Sequence, residues 1–432
     1  MRRNALLFVL ISLLSGFGST TMTLAAGIWV YDLTGSVSLA ALTAVCVYAP
    51  TFAAPWLGGL ADRLPRRPLL IVVDLALGGI MLALLAVRSA GAAWLIFAVL
   101  LVRGVGYVLI DAGETAILPS ALSRKILADV NGWRSSAQEG MKLVAPLAGA
   151  SLYAWQGPTA VIILSAAMPL LTAACYTAVR LNAPAAVNQG RAAEDAAGAV
   201  IGAGGAAEGV AGAVVGAAGV GEAGRPDEGR GFRAGLRALF GVAAVRGPVL
   251  LAAVAIGASG LKDAAVLAHL VHDLHLPATR LGYLGTAQGA GSIVSGLVVG
   301  RLLARTAPLT VVGVGAVLFA AGCLAQALPW WPAMIVGSVV IGVGLPWTLI
   351  AAVTAVQTLT PDHLLGRVAA TSTTVMFAPV AVGIPLGAAL VHLGAVLPLI
   401  AAAVLGVAAG VIALRGASRR RNAAAALETA RG

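Results

Sequence analysis

Twelve long apolar runs, each set off by a short polar interruption, make up the pattern of this chain. A helix rises about 1.5 Å per residue, so about 20 largely apolar residues cross the hydrocarbon core of a bilayer. On that rule the pattern predicts spanning helices near residues 5–30, 37–59, 69–88, 93–116, 137–155, 159–180, 248–271, 280–303, 308–328, 332–356, 367–392 and 395–414. The sharpest interruption is residues 58–70, Gly-Gly-Leu-Ala-Asp-Arg-Leu-Pro-Arg-Arg-Pro-Leu-Leu, with four charges between two runs that can each cross. Met1-Arg2-Arg3 and the apolar residues behind it imitate a secretory signal, but the run continues through Val30 and reads as an uncleaved first helix.

The basic residues test this placement. With the N-terminus inside, the cytoplasmic segments hold 23 of the 28 Lys and Arg; only Arg88 and Arg280 fall outside, and Arg103, Lys142 and Lys262 lie within helices. Such a bias is the positive-inside pattern of a multi-pass protein of the plasma (inner) membrane with both termini cytoplasmic. Residues 196–221 look apolar to a sliding window, yet they are Gly- and Ala-rich and interrupted by Glu208. A crossing there would invert every later loop, so the tract reads as a flexible linker. The expected organisation is a six-helix half over 1–181, a cytoplasmic linker over 182–247, a second six-helix half over 248–415 and a cytoplasmic tail over 416–432.

Composition agrees: 59% of residues are hydrophobic and 10% charged. The net charge of +11 does not indicate nucleic acid, because the arginines sit in short loops and aromatics are scarce. Cys46, Cys175 and Cys323 all lie in apolar segments and suggest no disulfide framework. No metal-ligand spacing, no phosphate-binding Gly-x-x-x-x-Gly-Lys-Ser/Thr string and no catalytic constellation is present, so neither a cofactor nor an enzyme is expected.

The two halves echo each other. Gly58-x-Leu60-x-Asp62-Arg63 returns as Gly300-x-Leu302-x-Ala304-Arg305, and Pro146-Leu-Ala-Gly149 as Pro385-Leu-Gly387. With twelve helices and a central linker, the residue 58–70 loop resembles motif A of the Major Facilitator Superfamily, Gly-x-Leu-Ala-Asp-Arg-x-Gly-Arg-Lys/Arg. Gly58, Leu60, Ala61, Asp62, Arg63, Arg66 and Arg67 match, and Pro65 replaces Gly. Residues 360–368 are similar to the loop before helix 11 in that family. Tyr31-Asp32-Leu33-Thr34-Gly35-Ser36 and Ala116-Ile-Leu118-Pro119 resemble the enterobactin-exporter-like and macrolide-efflux-like branch. Ala145-Pro146-Leu147-Ala148-Gly149-Ala150 partly matches the family's helix 5 motif of proton-coupled exporters; there Pro146 and Gly149 permit a bend and close helix approach.

The resemblance implies an all-α fold of two pseudo-symmetric six-helix halves and a monomeric secondary transporter that exports a small organic molecule, drug-like or siderophore, by proton antiport. A proton-coupled nutrient importer and a non-transporting receptor or assembly partner on the same fold are the alternatives. It also implies that Asp62 meets the start of helix 11 near Val368, and that Arg63 and Arg66 pair with acid on helix 4. Asp111 and Glu114, three apart on one helical face, can supply that acid, with Asp74 of helix 3 in the same network. Arg67 either joins this gate or only fixes topology.

Ionisable residues inside spans are costly and mark function by default. Arg103 lies midway along helix 4, and Lys262 and Asp263 lie inside helix 7. Adjacent residues point about 100° apart on a helix, so Lys262 and Asp263 need not pair with each other. Asp263 against Arg103 or Lys142 would give a proton-breakable pair, or a permanent structural one. Glu139 and Lys142 read as a local pair. Asp32, His272, Asp273 and His275 read as solvated, and His269 as either titrating or structural. Ser15, Ser19, Thr23 and Gly27 form a small polar stripe on helix 1, which reads either as cavity lining or as simple helix packing, and Arg103, Tyr107 and Asp111 form another on helix 4. With Trp347, Thr348 and Thr354 on helix 10, these fall on helices 1, 4, 7 and 10, which line the cavity in the family. The glycines of helix 8 (Gly285, Gly289, Gly296, Gly300) and helix 11 (Gly383, Gly387) read as packing residues.

Overall fold

A computed structural model of the chain describes residues 2–61, 63–122, 124–181, 236–237, 239–360 and 362–429. The described residues form twelve helices that follow the apolar runs. These are α1 (Arg2–Thr34), α2 in three pieces (Val37–Tyr48, a 3-10 stretch Ala49–Ala53, and Ala54–Ala61), α3 (Arg66–Leu82) and α4 (Ala93–Ala121). The run Arg124–Ala178 is broken at Gly157 into α5 before it and α6 after it. There follow α7 (Ala243–Ala268, prolonged by a π-turn His269–Asp273), α8 (Leu281–Leu303), α9 (Pro308–Gln326), α10 (Trp331–Leu359), α11 (Asp362–Leu390) and α12 (Leu397–Thr429). Nine helical runs among the described residues are long and apolar enough to cross a membrane, one of them containing both α5 and α6. The jointed α2 and the Gly-rich α8 complete the set. The chain is a multi-pass membrane protein.

The two cuts that periodicity marks least sharply are made by backbone conformation. Gly157 has φ 72° and ψ −168°, a region open only to glycine, and Pro158 behind it both prevents continuation of the hydrogen-bond ladder and starts α6. Gly394 (φ 149°) does the same between α11 and α12.

Three helices overrun the expected limits. α5 begins at Arg124 rather than near 137, and its added turns bury Val130 in a cluster with Phe8, Leu70, Ile117 and Tyr176. α7 begins at Ala243, inside the segment expected as linker. α12 continues to Thr429, so the segment expected as a tail is helical over most of its length. Hydropathy marks the crossing, whereas propensity decides where the helix stops, and Ala423–Leu427 is a run of strong helix formers. The rest of the expected linker, residues 182–235 and 238, lies outside the described residues.

The chain divides into two compact units, Met1–Gly35 with Cys46–Gly205, and Ser36–Val45 with Ala206–Gly432. The first turns of α2 thus group with the second unit, where the Ser38 hydroxyl donates to the Ala388 carbonyl at 2.8 Å. Within the first unit α1 packs along α5 and α6, and α3 along α4 and α6. A Cβ on Gly149 would stand 2.9 Å from Thr21 Cγ2 and 3.2 Å from Thr21 Cα, so Gly149 sets the approach of α5 to α1.

Within the second unit α8 lies against α10, α9 against α10 and α12, and α7 against α11. A side chain on Gly291 or Gly342 would run into the carbonyl of Val339 or Gln288 on the facing helix, which places α8 and α10 in backbone contact. Gly383 and Gly387 approach the backbone of α7 at Gly257 and Leu261 in the same way. Gly300 departs from its expected packing role: a Cβ there would meet nothing within 4 Å.

Candidate functional site

At the arginine-rich end of the first unit, two acids from neighbouring helices meet a single face of α6. Asp74 of α3 is 4% exposed and Glu114 of α4 is 8% exposed. Thr172 Oγ1 donates to Asp74 Oδ2 at 2.6 Å, and Tyr176 OH donates to Glu114 Oε1 at 2.8 Å. Thr172 and Tyr176 are four residues apart on α6, so one helical face serves both acids. Arg134 of α5 completes the cluster by an ion pair to Glu114 and by a bond from its Nε to Ser12 Oγ at 3.1 Å. Asp111 lies three residues before Glu114 on α4.

Glu114, one of the two helix 4 acids expected in the gate, is engaged by Arg134, which falls in a loop when helix 5 is started near 137. Arg63 and Arg66 are exposed at the entry to α3.

Arg67 has a defined partner set. Its Nε donates to the Tyr176 carbonyl at 3.1 Å and its Nη2 to that of Thr177. Arg3 donates to the Ala178 carbonyl at 2.6 Å. Asn4, 6% exposed, donates to the carbonyls of Ala121 (2.9 Å) and Arg180 (2.7 Å) and accepts the Arg180 N–H at 3.2 Å. The last carbonyls of a helix have no partners within it and carry partial negative charge, so two arginines and an asparagine close the end of α6. Sequence reading missed Asn4, Arg134, Thr172 and Tyr176. The available signal was Thr172-x-x-x-Tyr176, a polar pair at helical spacing in an otherwise apolar run.

Within the residue 58–70 loop, Gly58 and Leu60 belong to the last piece of α2, Leu60 is exposed and Ala61 buried. Pro65 stands at the N-cap of α3 with φ −64° and ψ 117°, and its carbonyl accepts the Leu69 N–H at 3.0 Å. A residue with φ fixed near −65° fits that position, which accounts for proline where the family motif has glycine. Asp62 lies outside the described residues, as do the side chains of residues 361–367.

Deeper along the spans, Arg103 is 9% exposed and its Nη1 donates to Thr23 Oγ1 at 3.3 Å. Thr23 in turn donates to the Ser19 carbonyl at 2.9 Å. The structure thus brings Arg103, Thr23 and Ser19 together, with Tyr107 one turn further along α4. Lys142 pairs with Glu139 at 2.9 Å on α5, as the spacing suggested.

In the second unit, Lys262 Nζ lies 2.8 Å from Asp263 Oδ1, so the adjacent residues do pair despite their angular offset. A long, flexible lysine stem can turn back to its neighbour's carboxylate, which the rotation argument neglects. Asp263 is half exposed and Lys262 buried. Trp347 packs with an apolar cluster of α8, α9 and α12, and its indole Nε1 is buried with no hydrogen-bond partner. Thr348 and Thr354 donate to carbonyls of their own helix.

His269, 1% exposed, points Nδ1 at Asp273 Oδ2 (2.6 Å) and Nε2 at the Leu328 carbonyl (3.2 Å), tying the end of α7 to the α9–α10 turn. Asp273 is thus the partner of His269 as well as partly solvated. Asp32, also exposed, accepts the Tyr153 hydroxyl at 2.7 Å. Among the described residues no group of three His, Cys, Asp or Glu side chains is arranged to hold a metal.

Residues 249–431 match the family model of the Major Facilitator Superfamily. No curated protein sequence matches the chain significantly. Solved structures share its fold over nearly its whole length. A bacterial homologue of the iron transporter ferroportin in an inward-facing state superposes with a TM-score of 0.64 at 15% identity, covering 96% of this chain and 99% of that one. The nucleoside transporter NupG gives 0.67 at 11% identity, over 96% and 98%. A variant of the peptide transporter POT gives 0.66 at 14% identity, over 96% and 94%. The architecture is the twelve-helix major facilitator fold, and its second half carries the sequence signature of that superfamily.

Proposed function

We propose that this chain is a secondary active transporter that exports a small organic molecule across the plasma membrane in exchange for protons, by alternating access. The observation that supports this reading most strongly is the set of charged side chains held within apolar helices: Arg103, the Lys142–Glu139 pair and the Lys262–Asp263 pair. Charges within a span cost several kcal/mol even when paired and are rare there, and in membrane carriers those that are kept mark coupling and substrate pathways.

Asp263 is the acid assigned to the coupling proton. It is half exposed, while its partner Lys262 is buried. Protonation would cancel the attraction between Asp263 and Lys262 and shift the buried ammonium toward its other contacts. Alternation between the two pairings is a minimal antiport step. The residue 58–70 loop acts in this reading as a latch and topology anchor, and the arginine bias supports a cytoplasmic position for it and for both termini.

The export direction rests on the helix 5 string around Pro146 and on the loop after helix 1, both exporter-like. Everted membrane vesicles test it. They are acidified inside by respiration and followed with acridine orange. Addition of an exported compound releases protons from the lumen and dequenches the dye in vesicles with the protein but not in vesicles without it. Proton movement in the opposite sense, or a response only in right-side-out vesicles, identifies an importer.

A further inference from the structure

Charge bookkeeping along the spans leaves one residue over. Lys142 is neutralised by Glu139 at 2.9 Å and Lys262 by Asp263 at 2.8 Å. Arg103 has no such counterpart: among the described residues, no carboxylate lies within ion-pair distance of it. The next acid along its helix, Asp111, is eight residues on, about 12 Å along the axis. Its hydrogen-bond partner is the Thr23 hydroxyl, which is turned toward Arg103 as an acceptor because its own proton goes to the Ser19 carbonyl. Tyr48 and Tyr107 are its electrostatic neighbours, and neither is an anion at neutral pH.

A guanidinium remains charged under all physiological conditions and carries five donors in a planar fork. Here it is 9% exposed, and one donor direction is taken. Burial of a charge is tolerated when an opposite charge and acceptors complete it, and the described residues of this unit supply one acceptor, Thr23, and no carboxylate within ion-pair distance. Ser19, Thr23 and Tyr107, at four-residue spacing on α1 and α4, are partly exposed around it. They give hydroxyls beside the fork.

We infer that Arg103 is the docking point for the anionic group of the transported molecule, so that the substrate class is amphipathic organic anions bearing a carboxylate or sulfonate. The inference rests on the transport reading above and adds the charge of the cargo to it. A carboxylate completes the fork with two parallel, charge-assisted bonds, whereas a neutral amide or an amine leaves the guanidinium uncompensated. Thr23 orients the fork and is a positioning residue.

The test uses the purified full chain in detergent and three matched compounds of one scaffold: naproxen, its neutral amide and the corresponding primary amine. A second matched set is built on deoxycholate. Binding is read from the concentration dependence of thermal stabilisation. The carboxylates are expected to stabilise the protein at least 10-fold more effectively than their neutral or cationic partners. Arg103→Gln should weaken carboxylate binding by about 10- to 100-fold and abolish the preference for charge. Arg103→Lys keeps the charge without the fork and should retain the preference at reduced affinity, which covers the case in which the glutamine variant fails to fold. Equal stabilisation by neutral or cationic members, an undiminished effect in Arg103→Gln, or no stabilisation by any of the anions overturns the inference. Reconstituted transport separates this outcome from failure of the transport reading. Proton-coupled movement of a neutral compound retains the transporter and refutes the anion, whereas bound but untransported carboxylates retain the anion site and refute transport.

Discussion

Removal of either member of the Glu114–Arg134 pair should destabilise the first unit, and removal of both should cost much less than the sum. The side chains are 10% and 14% exposed, so solvent screening is weak. Glu114→Gln keeps an acceptor for Tyr176 but takes the ion-pair partner from the Arg134 guanidinium, which retains its bond to Ser12 and the neighbouring Asp111 carboxylate. Breaking a buried pair by removing one partner costs about 3–5 kcal/mol. The bond to Ser12 that Arg134 keeps puts it at the low end, about 3 kcal/mol. Arg134→Gln leaves Glu114 with the Tyr176 hydroxyl, and about 2–3 kcal/mol is expected. In the double variant neither member of this pair is left as a charge without its partner. The coupling energy should be about 2 kcal/mol, well above the few tenths expected for independent sites. Unfolding of the purified protein in mixed micelles with increasing sodium dodecyl sulfate, followed by tryptophan fluorescence, gives the four free energies of the cycle. Additivity within about 0.5 kcal/mol would refute the assignment of Arg134 as the partner of Glu114.

Three further outcomes follow from the same geometry. Arg67→Gln removes two bonds to the terminal carbonyls of α6 and should cost about 1 kcal/mol in the same assay, while Arg63→Gln, on the exposed turn, should stay within about 0.5 kcal/mol of wild type. Gly291→Ala forces α8 away from the Val339 carbonyl and should cost about 1–3 kcal/mol, whereas Gly300→Ala meets open space and should be neutral or stabilising by up to about 1 kcal/mol; a melting-temperature comparison distinguishes them. His269→Ala leaves the Leu328 carbonyl without its donor and should cost about 1–3 kcal/mol, seen as faster amide exchange at the α9–α10 turn.

The helices were legible because a bilayer imposes one rule on every crossing, and that rule is written in run length. The Arg and Lys distribution similarly gave an expected orientation. The limits of α5 and α12 were less so, since apolarity ends at the membrane surface while Ala-rich or amphipathic helix continues beyond it. That misjudgement had a consequence for the site: with helix 5 started near 137, Arg134 became a loop charge and its pairing with Glu114 was out of view. Asp74 and Glu114 could be singled out as acids in apolar surroundings, but their partners Thr172 and Tyr176 lie about 60–100 residues away in sequence, and periodicity reports only which residues share a face of one helix. The Lys262–Asp263 pair shows the converse. Angular spacing alone left it open, and side-chain length made it possible.

Coupling of transport to protons through Asp263 is the central claim. The most direct test reconstitutes the purified wild-type protein and Asp263→Asn into liposomes enclosing a pH-sensitive dye, with a substrate gradient imposed and no other energy source. Counterflow of protons against substrate, abolished in Asp263→Asn and in liposomes treated with a protonophore, is the predicted result. Substrate movement in wild type with no change in internal pH, or equal proton counterflow in Asp263→Asn, would contradict it.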